Sequence, residues 1–491
     1  MKAQGIVAAG HELSARAGAD ILRAGGNAVD AAIAACLASW AVEPLLTGPG
    51  AGGYLMVAGE GWEPTLLDFF VAAPSAGERA PLVPIDVSFG DATQVFHVGA
   101  SSVGVPGTPS GLEEASRRWG SLPLAALAAP GSGHARSGVP LNAAQAYVGE
   151  ILAGILLSTP EAAALFAPEG RPLRAGEAFA SPELAETIAR FGADGAAPFV
   201  TGELAAASVD WVARHGGTLS AADLAAYAPL AREPARVAYR DRTVLTNPPP
   251  SAGGTLLALA LRRLDATARD APPSPAALVD AMALAQAART PDFDAGLAEP
   301  GFLERVLGRH LGGTTHVSVI DGDGRACAVT CTNGEGSGLV VPGTGIHLNN
   351  VMGEEDLNPL GFFAAPPGRR MPSMMAPTIV LGARGTAELV LGSAGSNRIR
   401  SAILQTIVGV VDHALDARAA VEAPRLHLEG ATVYAEPGID LEGLAAGGRE
   451  VVPFRDRNLF FGGVQAVERD HATGALTGAG DPRRGGASAR A

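Results

Sequence analysis

The stretch from Gly312 to Asn350 constrains this chain more than any other. It opens Gly312-Gly313-Thr314-Thr315-His316-Val317-Ser318-Val319-Ile320-Asp321. It continues through Thr330-Cys331-Thr332-Asn333 and Gly336-Ser337-Gly338 to Leu348-Asn349-Asn350. Residues 315–320 and 326–332 alternate as strands do and flank the turn Asp321-Gly322-Asp323-Gly324, which predicts a β-hairpin. The Gly-Gly pair lets the backbone bend sharply just where the Thr314 hydroxyl could attack the preceding carbonyl. A break at Gly313–Thr314 would leave Thr314 with a free α-amine beside its hydroxyl, a nucleophile and a base on one residue. An α-amine titrates at roughly 7.7–8.0, so it can take a proton near neutral pH.

This run resembles the gamma-glutamyltranspeptidase family of N-terminal-nucleophile hydrolases. That family carries Thr-Thr-His-x-Ser-Val-x-Asp, and its first Thr, here Thr314, is the nucleophile made by self-cleavage. An isolated Thr-Thr on a strand expresses no more than β-propensity, but the likeness spans the chain in block after block. Gly25-Gly26-Asn27-Ala28-Val29-Asp30-Ala31-Ala32 is close to the family's early signature. Glu43-Pro44 and Thr47-Gly48-Pro49-Gly50-Ala51-Gly52-Gly53-Tyr54 continue it. A phosphate loop is disfavoured there because no Gly-Lys-Ser/Thr follows; glycines that let a strand pack tightly beside the active site fit better. Residues 221–227, the turn Asn247-Pro248-Pro249-Pro250-Ser251-Ala252-Gly253-Gly254, Gly392-Ser393-Ala394-Gly395-Ser396-Asn397-Arg398-Ile399 and Asp481-Pro482-Arg483 are similar in turn.

The resemblance implies an α/β fold, a four-layer αββα sandwich, made as one structural domain from residues 1–313 and 314–491 after self-cleavage. It implies an acyl-enzyme on Thr314. Thr332 would support the nucleophile, and the N–H groups of Gly395 and Ser396 would form the oxyanion hole. Asn333 and Glu354 would hold a substrate α-amine, and Ser373 an α-carboxylate. The substrate implied is a γ-glutamyl or related acyl amide, with water or an amine as acceptor, and no cofactor or metal. Three positions depart from the family pattern: Phe70 stands where an Arg grips the α-carboxylate, Val351 where a Gln lies near the α-amine, and Met374 where a second Ser follows Ser373. Arg369, Arg370 or Arg398 could reach the carboxylate instead. The short stretch between Glu354 and Arg370 implies that the lid of some members is absent. Two alternatives stand beside this reading. One is an amide acylase for a non-γ-glutamyl substrate such as a β-lactam side chain; the other is an unprocessed, non-catalytic binding protein on the same fold.

Composition narrows the rest. Lys and Arg number 36 against 50 Asp and Glu, a net charge of −14 that argues against nucleic acid or an anionic membrane as partner. Three cysteines cannot make a disulfide framework; Cys327 and Cys331 share parity on one strand and read as small buried residues rather than metal ligands. Neither Gly-x-Ser-x-Gly nor His-Glu-x-x-His occurs, which disfavours a serine or metallohydrolase. The apolar run of residues 31–46 is interrupted by Glu43-Pro44 and predicts a buried helix rather than a membrane span. The opening residues show no clear cleavage pattern, so a cytoplasmic location is expected. Helices are expected near residues 12–24, 28–40, 110–119, 181–191, 204–215, 255–264 and 401–415. Residues 265–311 look least ordered, a linker-like stretch suited to self-cleavage. The Gly-rich tail 485–491 is expected to be disordered.

Overall fold

The computed structural model describes residues 5–88, 93–267, 271–288, 315–358 and 360–491. Thr314, the Gly313–Thr314 bond and the expected linker from residue 289 onward lie outside them. Two antiparallel sheets form the middle of the molecule. The first runs, in pairing order, Ala487–Arg490, Gly5–Ala9, Thr315–Asp321, Arg325–Thr332, Gly52–Gly59, Trp62–Phe69, Leu230–Arg232. The second runs Leu476–Gly480, Gly463–Arg469, Ala387–Ala394, Thr378–Leu381, Arg242–Thr246, Ala235–Tyr239. The first sheet thus draws strands from both sides of residue 314.

The expected hairpin is the centre of the first sheet, with Thr315 opposite Cys331 and His316 opposite Thr330. Its period-two alternation sorts side chains between layers. Val317 and Val319 join the core beneath the helix Ala28–Val42, while Ile320 joins the core between the sheets. Asp321 closes the turn by accepting the N–H groups of Asp323 and Arg325 at 3.0 Å each. It also accepts the Ala28 N–H at 3.1 Å, placing a carboxylate at the N-terminus of that helix, where the helix dipole favours it. Asn27 caps the same helix in a reciprocal capping box with Asp30. Every residue of Ala28–Val42 is buried, as its unbroken apolar composition requires. The helices Ala252–Asp265, Pro275–Ala287 and Arg398–Val411 share a core with the second sheet on its outer face. The layers are therefore helix, sheet, sheet, helix. No helix among the described residues is long and apolar enough to cross a membrane.

Two expectations need correction. The tail is not disordered: Ala487–Arg490 pairs with Gly5–Ala9, and the Ser488 hydroxyl donates to the Gly478 carbonyl at 2.8 Å. Small polar residues suggested disorder, but the open edge of the first sheet supplies backbone partners that composition does not reveal. The linker-like Ala271-Pro272-Pro273-Ser274-Pro275 is in part a helix start. Ser274 caps Pro275–Ala287 with Pro at its first turn, and Val279 and Met282 are buried in the core beyond the second sheet.

Candidate active site

The hairpin strand Arg325–Thr332 ends beside a solvent-open cleft of about 590 Å³. Thr332, Gly395 and Ser396 line it together with Gly334, Glu335, Arg398 and Arg484. Three of the four residues expected to do catalysis are thus brought to one place from separate sheets; the fourth, Thr314, lies outside the described residues. Thr332 is the last residue of its strand, and its hydroxyl accepts the Gly334 N–H at 2.8 Å. A hydroxyl that accepts one bond keeps its own proton to donate.

Gly395 and Ser396 form the turn from strand Ala387–Ala394 into helix Arg398–Val411. Gly395 has φ +122°, and a Cβ there would lie 2.7 Å from the Gly462 Cα, so only glycine fits. Ser396 has φ +52°, a left-handed conformation that costs a non-glycine residue energy and clusters at functional sites. The carbonyls of both residues accept the Arg398 and Ile399 N–H groups at 3.0 and 3.1 Å, locking the turn onto the helix.

The residues expected to hold an amino-acid head are buried and do not line the cleft. Asn333 donates its N–H to the Leu46 carbonyl at 3.1 Å, and its Oδ1 has no partner among the described residues. Glu354 is buried close by: a Cβ placed on Gly334 would meet both its carboxylate and Asn350. Ser373 serves the fold. Its hydroxyl accepts the Met375 N–H at 3.0 Å and its carbonyl accepts the Ala252 N–H at 2.8 Å, tying this loop to the Pro-rich turn before Ala252–Asp265.

The three departures are buried apolar residues. Phe70 stacks on Tyr54 with ring centroids 5.7 Å apart, in one cluster with Val351, Met371 and Met375 between the sheets. Met374 belongs to the core beyond the second sheet. Arg370 is engaged elsewhere: its Nε lies 3.4 Å from Asp68, and its guanidinium sits 4.0 Å over the Tyr227 ring. Of the three arginines considered as substitutes, Arg398 alone lines the cleft, with its Nε donating to the Phe460 carbonyl at 3.0 Å.

Sequence reasoning missed several neighbours. His316, fully buried, bridges Thr330 Oγ1 at 2.7 Å and Ser318 Oγ at 2.9 Å, and burial pulls its imidazole down to about 3. It is a neutral strut between strands. Glu43 accepts the Thr315 hydroxyl at 3.0 Å and the Ser14 hydroxyl at 3.4 Å; burial raises its carboxyl to about 7 against those two hydrogen bonds. Arg484 reaches past Gly463 toward Gly395 and donates to the Leu459 carbonyl at 3.2 Å. Burial, with help from the Arg398 charge, pulls it down to about 10, so it stays cationic. Glu43-Pro44 and Asp481-Pro482-Arg483 were the signals for the second and third of these, and His316 stood in the Thr-Thr-His run itself.

The Gamma-glutamyltranspeptidase family model matches residues 14–308 and 303–491. The "Glutathione hydrolase proenzyme" of Bacillus subtilis (strain 168) is 30% identical, over 99% of this chain and 91% of that protein. The "Acylase ACY 1 proenzyme" of Pseudomonas sp. (strain SE83) is 31% identical, over 97% and 91%. A crystal structure of cephalosporin acylase from Bacillus halodurans superposes with a TM-score of 0.84 at 28% identity, over 99% of this chain and 96% of that one. With both halves matched and relatives of such length on either side, the chain belongs to the gamma-glutamyltranspeptidase family.

Proposed function

We propose that the protein cleaves itself between Gly313 and Thr314, into pieces of 313 and 178 residues, and then works as an amidohydrolase and acyltransferase through an acyl-Thr314 intermediate. The Thr314 hydroxyl attacks the acyl carbonyl and passes its proton to its own α-amine. The oxyanion rests on the N–H groups of Gly395 and Ser396. The amine leaves with the proton; water or a second amine then attacks the ester and restores the hydroxyl. Thr332 orients the nucleophile. The observation that carries this reading is the meeting of Thr332, Gly395 and Ser396 in one cleft at the start of the strand that follows Thr314.

The substrate is a γ-glutamyl or related acyl amide, and it owes little to an α-carboxylate. Phe70 removes the ionic clamp, and Arg370 is held by Asp68. A charge-assisted hydrogen bond is worth roughly 1.5–3 kcal/mol, so its loss costs about 10- to 150-fold in discrimination. The same observation favours a second reading, an amide acylase for a non-γ-glutamyl substrate; the Pseudomonas relative is named an acylase. The test has two parts. A denaturing gel with a mass spectrum should find both pieces, the smaller starting Thr-Thr-His; one intact band would mean an unprocessed binding protein. The kcat/KM of a γ-glutamyl anilide should then fall within about 10-fold of its analogue lacking the α-carboxylate. A preference of about 100-fold or more for the intact compound would restore a working head site.

A further inference from the structure

Beside the cleft lies a second chamber, open to solvent on one side, of about 690 Å³ with that open space included. Leu45, Leu46, Val148, Leu459 and Arg484 border both spaces, so the chamber opens off the place where Thr332, Gly395 and Ser396 meet. We propose that this chamber is the subsite for an apolar acyl chain, and that the protein takes medium-length aliphatic or arylalkyl acyl amides. The proposal rests on the acyl-enzyme reading above and names the acyl group.

Four observations carry it. The far wall is apolar, built from Leu141, Leu156, Phe166, Leu173 and Phe179, with Phe166 and Phe179 stacked at 5.7 Å. The polar groups around it are spent on the fold. Gln145 accepts the Asn142 N–H at 2.9 Å and donates to the Val42 carbonyl; Arg483 donates to Glu436 at 2.8 Å and to Asp481 at 3.2 Å; Glu43 takes the hydroxyls of Thr315 and Ser14. An ammonium pushed into this space would lose its water and meet no free partner, whereas a hydrocarbon chain gains by entering. Phe70 and Val351, where the family pattern puts contacts to an amino-acid head, are buried in an apolar core cluster. Last, Arg484 stands at the neck as a cation, with the Leu459 carbonyl as its hydrogen-bond partner and no carboxylate paired with it among the described residues. An acyl group carrying an ammonium and no carboxylate would be repelled at the entrance.

The test uses p-nitroanilides of acetic, butanoic, hexanoic and phenylacetic acid and of γ-glutamate, with the self-processed protein and two variants. Gly149 borders the chamber, and a Cβ there would sit 3.7 Å from Leu45 and from Pro172, an ordinary contact. Gly149→Ala therefore fits, and Gly149→Leu projects into the space. In the wild type, kcat/KM should rise about 3- to 4-fold per methylene, making hexanoyl on the order of 100-fold better than acetyl. Gly149→Leu should bring that ratio near 1, and Gly149→Ala should leave it between the two. A flat dependence on acyl length in a protein that does turn these anilides over would overturn the chamber assignment alone. So would a Gly149→Leu effect that follows the amine when acetyl amides of different amines are compared. A processed protein that releases p-nitroaniline from none of the five would overturn the acyl-enzyme reading as well.

Discussion

Two regions of this molecule lie near the same hairpin and are built in opposite ways. The cleft at its open end is hollow, and Thr332, Gly395, Ser396, Arg398 and Arg484 line it beside Leu45, Leu46, Leu152 and Leu459. The region around Phe70, Val351 and Met375 is core, with all three residues buried in one cluster between the sheets. In the family pattern that second region belongs to the substrate's amino-acid head. The contrast teaches that the reaction and its recognition are carried by different elements. In the mechanism proposed above one turn and one strand end supply the chemistry, so recognition can be rebuilt as core without disturbing them.

The largest effect that could break the comparison is at the nucleophile. Thr314→Ala should run as one chain of 491 residues on a denaturing gel. Its acyl-anilide turnover should drop by about 10³-fold or more, the scale of losing a catalytic nucleophile. A Thr314→Ala protein that still divides in two would move the cleavage elsewhere. That uncleaved background also gives a single chain in which to measure stability. There, Phe70→Ala should cost about 3–5 kcal/mol by urea denaturation, as a fully buried aromatic in a packed core does. If Phe70→Ala is instead neutral to stability and alters substrate preference, the solid region is a pocket after all.

The oxyanion turn sharpens the other side. Gly395→Ala places a Cβ 2.7 Å from the Gly462 Cα at φ +122°, so the turn must shift. Losing one oxyanion donor costs roughly 2.7–4 kcal/mol, or 10²–10³ in kcat. Steady-state kinetics should show that loss in kcat with KM moving far less, and a circular-dichroism melt should show that the variant folds. Equal loss in Gly395→Ala of kcat and of folded protein would reduce the turn to a structural role.

How much of this was legible in the sequence depended on whether local pattern or distant packing decided the matter. The hairpin, the Asn27 cap and the turn at Gly395 were readable because alternation, capping and glycine chemistry are local. The two sheets came only through resemblance, and their strand order was not read at all; periodicity does not say that Gly5–Ala9 lies between Thr315–Asp321 and Ala487–Arg490. The chamber was invisible because its walls come from helix Ala143–Ile151 and its neighbours, which carry no motif and become a wall only by packing. Arg370 was a reasonable candidate for the carboxylate until its partner Asp68 was seen, 302 positions away in the chain. Glu43 read as a boundary marker, since nothing in Glu-Pro announces a carboxyl beneath the hydroxyl of Thr315.

Glu43 supplies the smallest effect and the finest test of the comparison, because it is a buried acid on the reactive side. Its carboxyl titrates at about 7 in the fold, against an ordinary value of 4.5. Between those two values the folded chain keeps a proton that the unfolded chain has released. Stability therefore falls as pH rises from 4.5 to 7 and is level above that. The window spans about two and a half pH steps, and at 1.36 kcal/mol each the effect is at most about 3 kcal/mol. Glu43→Gln keeps the shape and has no proton to lose. The hydroxyls of Thr315 and Ser14 can turn to accept from its amide where that is needed. In the Thr314→Ala background the two proteins should be equally stable near pH 4.5, and Glu43→Gln more stable by about 2–3 kcal/mol at pH 8. The imidazoles of His316, His347 and His427, all lowered by burial, lose stability as pH falls, in the opposite sense. They are common to both proteins and cancel in the difference. If the two stability curves run parallel from pH 4.5 to 8, Glu43 is ionised throughout and the strand after Thr314 rests on a charge. If they diverge as expected, the strand that follows the nucleophile is held from beneath by groups that are neutral when Glu43 is protonated, His316 on one face and Glu43 on the other. The charges of the active site are then confined to the cleft.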